Sequence, residues 1–400
     1  MNIFNRFYCR LYQVIMRCFL PFLPYREPEL INGTDELLNI LKEEKLAKVL
    51  FVSDRNLRNL KITSEIENLL TSQIELVIYD DIDKNPTTEN VENAVKIYEQ
   101  NGCDGIVAIG GGSVIDCAKA VGACVVCKSK TIKDMKGLLR INKRTPTMIA
   151  IPTTAGTGSE ATLSSVITDS ETGTKFVIND FDLIPDYALL DEKLTVSLPK
   201  AITATSGMDA LTHAIESFIG RSTTKQTREC SLRAIKMIFG NLEKAYRNGK
   251  NLEARKNILT ASYLAGVSFS RSYVGYVHAI SHSLGRKYGV AHDQSNAVIL
   301  PVMLRFYGKK IYKKLWRIAV YCGMIDKNMP YEDGAKTVIE KIETMNTNLK
   351  IKSNLTCIME KDIPKLAKIA VREANPLYPV PVLYSSKSLE KVYHILKIKA

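Results

Sequence analysis

Between residues 46 and 190 the chain alternates two hydrophobic patterns. AKVLFVSD, ending at Asp54, QIELVIYDDI and DGIVAIG are short, nearly continuous apolar runs of the kind that predicts buried strands. ENVENAVKIYEQ and VIDCAKAVGACV instead space their apolar residues at the helical period. TMIAIPTT predicts a further strand leading into the polar turn PTTAGTGSEAT, and SSVITDSETGTKFVI alternates like a hairpin about Thr172 and Gly173. Strands alternating with helices predict a parallel sheet wrapped by helices. Beyond Pro199 the pattern is helical to the end, which places a boundary near residue 195. The expected organisation is an α/β region over 28–195 and an all-helical region over 196–400.

Residues 1–27 follow neither pattern. They are aromatic and apolar but interrupted by Arg6, Arg10, Arg17 and Arg26, too broken to cross a bilayer and without the small-residue cleavage site of a secretion signal. We expect an amphipathic arm packed on the body or on a partner subunit, with attachment to a membrane surface the lesser reading. Nine cysteines without a spaced framework favour a reducing compartment, hence the cytoplasm. The net charge of +13 raises nucleic acid as a partner, but the lysines are dispersed among acidic neighbours, as in LKEEKLAK, and form no basic stripe. No nucleic-acid partner is expected.

Chemistry concentrates in one window. Of five histidines, His213, His278, His282 and His292 lie close together in sequence, and only His394 lies outside. Asp209 and His213 are four residues apart in TSGMDALTHAIESF, so one helix face presents both. His278 and His282 repeat the spacing in YVHAISHSLG, and His292 follows a short glycine-bearing turn. A carboxylate with imidazoles suits a first-row divalent cation that keeps one exchangeable position. Upstream, a predicted strand runs into Gly110-Gly111-Gly112-Ser113 and then a helix, the context in which backbone amides at a helix start bind phosphate. The candidate ribose-binding acid, Asp54, precedes these glycines instead of following them by about 20 residues as in the usual Rossmann fingerprint.

GGGSVIDCAKA, PTTAGTGSEAT, MDALTHAIES, VHAISHSLG and HDQSNAVILP, in this order, resemble the signature segments of the iron-containing, group III alcohol dehydrogenase family. The resemblance runs from about residue 28 to the C-terminus. It implies a Rossmann-like α/β dinucleotide-binding domain followed by an all-helical metal-binding domain, the dehydroquinate synthase-like fold, with the active site between them. It further implies Fe(II), with Zn as an alternative, held by Asp209, His213, His278 and His292, and His282 as a catalytic residue that is not a ligand. NAD would be bound by Asp54, Gly111, Gly112, Ser113, Thr153, Thr154 and Lys175, with the acid at Asp54 disfavouring a 2′-phosphate. A small primary alcohol or aldehyde as substrate and a homodimer are the remaining implications. The expected chemistry is hydride transfer between the substrate carbon and the nicotinamide, the metal polarising the substrate oxygen and His282 relaying the proton.

Several positions depart from the family pattern. Asp293 stands where glycine is usual, Ala291 where proline is frequent, Arg286 where a small residue is common and Arg271 where asparagine is often found. Asp293 would alter metal affinity or pair with Arg286; Arg271 would line the substrate pocket or form an ordinary ion pair. The rival readings are another member of the same fold group, such as a glycerol dehydrogenase or dehydroquinate synthase, and a catalytically silent binding or membrane-associated protein.

Overall fold

The computed structural model describes residues 3–398; residues 1, 2, 399 and 400, at the outer ends of the arm and of the helical region, lie outside the described residues. Two compact units emerge, one of residues 24–197 and one of 1–23 with 198–400. The chain opens with helix α1 (Ile3–Phe19), which groups with the second of these.

In the α/β unit the elements run β1 (Glu29–Ile31), α2 (Thr34–Glu43), β2 (Lys48–Val52), α3 (Arg55–Asn59), α4 (Ser64–Thr71), β3 (Glu75–Tyr79), α5 (Thr88–Asn101), β4 (Gly105–Gly110), α6 (Gly112–Val126), β5 (Gly137–Leu138), β6 (Thr147–Pro152), β7 (Ser164–Thr168), β8 (Lys175–Asn179) and β9 (Tyr187–Leu189). Six strands form a sheet in the order β1-β9-β6-β4-β2-β3, every pairing parallel. The strict two-residue period divides each apolar run between two cores. Val49, Phe51, Val107, Ile109, Ile149 and Ile151 pack on one face with Leu37 and Leu41 of α2. Leu50, Val52, Ile106, Ala108, Met148 and Ala150 pack on the other with Val91 of α5 and Ile115 of α6. The expected hairpin is β7 antiparallel to β8, turning at Gly173 with φ +65°. The three-residue strands β1 and β9 were not expected from the pattern; they are too short to show a period.

Strand order fixes where a ligand fits. From β2 the chain moves to one neighbour, β3, and then returns to the other side of β2 as β4. Such a reversal opens a crevice at the carboxyl ends of the two strands flanking it. Asp54 follows β2 and Gly111–Ser113 follow β4, so adjacent strand ends carry both expected cofactor segments.

The helical unit contains α7 (Lys200–Ile219), α8 (Lys225–Arg247), α9 (Leu252–Ser272), α10 (Tyr276–Tyr288), α11 (His292–Tyr307), α12 (Tyr312–Tyr321), α13 (Tyr331–Asn348), α14 (Ile363–Ala374) and α15 (Ser386–Ile398). Helix α7 is buried on all sides from Ser206 to Ile219, so it is the core of this unit and not a surface helix. Polar residues at Asp209, His213 and Glu216 on such a helix require internal partners. No described helix is long and apolar enough to cross a membrane.

Candidate metal and cofactor sites

Asp209, His278 and His292 each offer one donor atom, and these three atoms lie within 4.8 Å of one another. They come from α7, from the first turn of α10 and from the first residue of α11, so the set closes only when three helices pack. Asp209 and His278 are buried and His292 is half-buried. Asp209 Oδ1 is 3.9 Å from His278 Nε2 and 3.8 Å from His292 Nε2. His213, one helical turn after Asp209, has Nδ1 3.9 Å from Asp209 Oδ2, and its ring stacks between Phe269 at 4.2 Å and His278 at 4.5 Å.

The ring tautomers are set by partners that sequence reasoning missed. Glu216 Oε2 accepts from His278 Nδ1 at 2.6 Å, and the same carboxylate accepts from the backbone N–H of Gly275 at 2.9 Å and Val277 at 2.8 Å. A group accepting from every side puts the imidazole hydrogen on Nδ1 and leaves a lone pair on Nε2. His278 Nε2 is fully buried and meets no hydrogen-bond partner, although it faces Asp209. Gly275 permits this arrangement, because a Cβ there would lie 2.5 Å from Glu216 Oε1. Glu216 falls seven residues after Asp209, two turns along the same helix, which was the one signal available for it. Asn296 Nδ2 donates to Asp209 Oδ1 at 2.7 Å and to His292 Nε2 at 3.0 Å, while His292 Nδ1 lies 3.1 Å from Ser281 Oγ.

Burial pushes the Asp209 carboxyl up to about 8, against the Asn296 hydrogen bond, and the neighbouring Asp293 and Glu216 add to the rise. Burial likewise raises Glu216 to about 7, opposed by its three backbone N–H partners, and drives the His278 imidazole well below its ordinary value. Two buried acids and the neutral His278 imidazole at one point form a set whose charge a divalent cation would balance, and the orphaned lone pair is the kind of atom it would take. The donor set therefore fits a first-row metal ion.

His282 stands apart from these donors. Its Nδ1 is 2.5 Å from Glu373 Oε1 on α14, which also accepts from Tyr378 Oη at 3.1 Å, and its ring stacks on His292 at 4.9 Å. The side chain is 38 % exposed, open to proton exchange with water. Of the family departures, Asp293 accepts from Thr205 Oγ1 and from the Gln294 N–H at 2.9 Å, so its carboxylate is engaged by α7 and not by Arg286. Arg271 donates to Gln226 at 2.6 Å.

In the α/β unit, Gly111 precedes the fifteen-residue α6 and supplies no side-chain cap, so the first-turn amides face outward with the helix dipole behind them. A Cβ on Gly112 would lie 2.8 Å from the Thr157 side chain, so glycine lets the threonine loop close on this turn. Thr153 N–H donates to Gly110 O at 2.9 Å, and Thr154 lies 3.5 Å from where a Gly111 Cβ would be. Ser113 Oγ donates to Lys84 O at 2.6 Å and Lys175 Nζ to Asn85 Oδ1 at 2.6 Å, which gathers both around the segment after β3. Asp54 caps α3, Oδ1 accepting from the N–H of Asn56 and Leu57 at 3.0 Å each. An uncapped helix start beside small hydroxyl side chains fits a pyrophosphate.

Two family models match most of the chain. The model for iron-containing alcohol dehydrogenase matches residues 28–192, and that for the Fe-containing alcohol dehydrogenase family, C-terminal, matches 203–397. The 1,3-propanediol dehydrogenase of Citrobacter freundii is 32 % identical over 361 residues, covering 89 % of this chain and 92 % of that one. The NAD-dependent methanol dehydrogenase of Bacillus methanolicus is 34 % identical over 336 residues, covering 83 % and 88 %. The crystal structure of a 1,3-propanediol oxidoreductase superposes with a TM-score of 0.88 at 31 % identity, covering 93 % of this chain and 99 % of that one.

Proposed function

The chain belongs to the iron-containing alcohol dehydrogenase family, and we propose that it uses Fe(II) and NAD(H) to interconvert a short primary alcohol or diol and its aldehyde. The observation that carries this reading is the buried Nε2 of His278, held as a lone pair by Glu216 and aimed at Asp209 beside His292. Asp209, His213, His278 and His292 are the proposed ligands. Bound there, the ion would supply a Lewis acid for the substrate oxygen while the nicotinamide takes or returns the hydride.

The residues of the chain do the rest. Glu216 keeps the His278 hydrogen on Nδ1, so the inward nitrogen never carries a proton that would exclude a cation. Glu373 accepts from His282 Nδ1 and orients the ring, leaving Nε2 to receive the alcohol proton and pass it to solvent through the exposed edge. The α6 amides at Gly112 and Ser113 would hold the pyrophosphate, with Gly111, Thr153, Thr154 and Lys175 along the groove. Asp54 spends one oxygen on its helix cap; the other is available to ribose hydroxyls, and its charge opposes a 2′-phosphate. NAD(H) is therefore the proposed cofactor, in keeping with the NAD-dependent methanol dehydrogenase relative. Against the catalytically silent alternative, in which Asp293 and Arg286 spoil the centre, stand the gathered donors Asp209, His278 and His292 and the hydrogen bond that Asp293 accepts from Thr205.

The test is a panel of short aldehydes followed by NADH absorbance, under anaerobic conditions with added ferrous iron. Turnover of at least one aldehyde that disappears on chelation is expected. Ferrous binding without NADH oxidation on any aldehyde would overturn the reading.

A further inference from the structure

Helix α1 is seated the wrong way round for a helix that only completes a core. Its narrower, mixed side faces the protein: Cys9 and Gln13 are buried, Tyr12 and Met16 half-buried, Gln13 Nε2 donates to the carbonyls of Tyr378 at 2.8 Å and Pro376 at 3.2 Å, and Arg10 donates to those of Val380 at 2.8 Å and Pro381 at 3.0 Å. Its broad apolar side faces outward, with Phe4 81 % exposed, Phe7 67 %, Phe19 57 %, Val14 52 %, Leu11 46 % and Ile15 45 %. Single exposed apolar residues are ordinary, but six on one continuous helix face are not.

The surrounding charge identifies what would cover this face. Residues 1–26 contain four arginines and no acidic residue, and Arg6 and Arg17 are exposed at the margin of the apolar face. Nearby, burial together with Arg221, Arg317, Arg228 and Arg17 pushes the Lys314 ammonium down to about 8, which marks a shared positive field around the C-terminal end of α1. A second copy meeting this face across a two-fold axis would set that field against itself. Anionic headgroups would neutralise it. At 17 residues, about 25 Å, the helix suits lying in the interface, and no described helix could span.

We propose that α1 docks this protein on membrane surfaces containing anionic lipid, its phenylalanine-rich face entering the headgroup region while the flanking arginines contact lipid phosphates. The sequence alone put packing on the body or on a subunit first and a membrane surface second; the helix does pack on the body, and the broad apolar side it leaves outward carries the second reading.

The experiment is co-sedimentation of the full chain with vesicles of phosphatidylcholine alone and of phosphatidylcholine mixed with phosphatidylglycerol. Binding to the mixed vesicles, weakened by salt, is expected. Arg6→Gln with Arg17→Gln should lower partitioning about twenty-five-fold, since each basic residue near an anionic surface contributes about fivefold. Phe4→Glu with Phe7→Glu should abolish it without changing the circular dichroism spectrum, because both side chains stand in solvent. Equal binding to both vesicle types, or to neither, would overturn the proposal. So would light scattering that finds a dimer converted to monomer by the phenylalanine substitutions, which would make this face a subunit contact.

Discussion

Glu216→Gln changes one atom of the metal centre's support and leaves its volume intact. In the parent, Oε1 accepts from Val277 N–H and Oε2 from Gly275 N–H and His278 Nδ1. An amide has one acceptor atom, so it must disappoint one side. With its oxygen toward His278, its NH2 meets the Val277 N–H, and a buried hydrogen bond becomes a donor–donor contact costing about 1–3 kcal/mol of stability. Turned over, its NH2 meets His278 Nδ1 and forces the ring hydrogen onto Nε2, the nitrogen 3.9 Å from Asp209 Oδ1. In either orientation the imidazole loses a charged partner, and such partners are worth about 10–100-fold in metal affinity, or about 1.4–2.7 kcal/mol. Ferrous or cobaltous affinity, read by competition with a chromogenic chelator, should fall by that factor. Ser217→Ala is the control: the neighbouring hydroxyl is buried and lies 3.0 Å from Ser231 Oγ, away from the donors, so its loss should lower the melting temperature without weakening metal. A Glu216→Gln protein that binds within twofold of the parent, or a Ser217→Ala protein equally impaired, would refute the tautomer reasoning.

Other expectations follow from the same structure. His278→Ala should lose both metal and activity, whereas His282→Ala should keep its metal and turn over about 100-fold slower or worse, the usual worth of a general acid–base group; metal analysis beside kcat separates them. Gly112→Ala drives a Cβ to 2.8 Å from Thr157 and should weaken NADH binding at least about tenfold by fluorescence titration, with Gly112→Ala/Thr157→Ala recovering most of the loss; no recovery would place the fault elsewhere. Burial pushes the Glu160 carboxyl up to about 7, so the folded protein keeps a proton that the unfolded chain has released. That contribution to stability is complete below the ordinary glutamate range and is lost as pH rises through 7. Melting temperature measured across that interval should therefore fall less steeply in Glu160→Gln than in the parent, and identical slopes would contradict the assignment.

Local pattern determined much of this protein by itself. Continuous apolar runs up to Asp54 and Gly110 read as two-sided strands, and the four-residue spacing of Asp209 with His213 and of His278 with His282 puts each pair on one face of a helix, because both periods are properties of the backbone. The five ordered motifs likewise needed no coordinates to suggest the family. Tertiary packing decided what no local period encodes. It made β1 and β9 strands, since segments of three residues acquire that conformation from the neighbours they pair with. It supplied Glu216, Asn296 and Glu373 as the partners that fix the imidazole tautomers; apart from the two-turn offset of Glu216 from Asp209, their sequence positions resemble any solvated polar site. It turned Asp293 toward Thr205, and it seated α1 by its narrower, mixed side, although amphipathicity shows that a helix has two faces and is silent about which one is buried. The reason is physical: a side chain's direction is set by its own few residues, but the company it keeps depends on how distant segments close, and hydrogen bonds and charge are decided by that company.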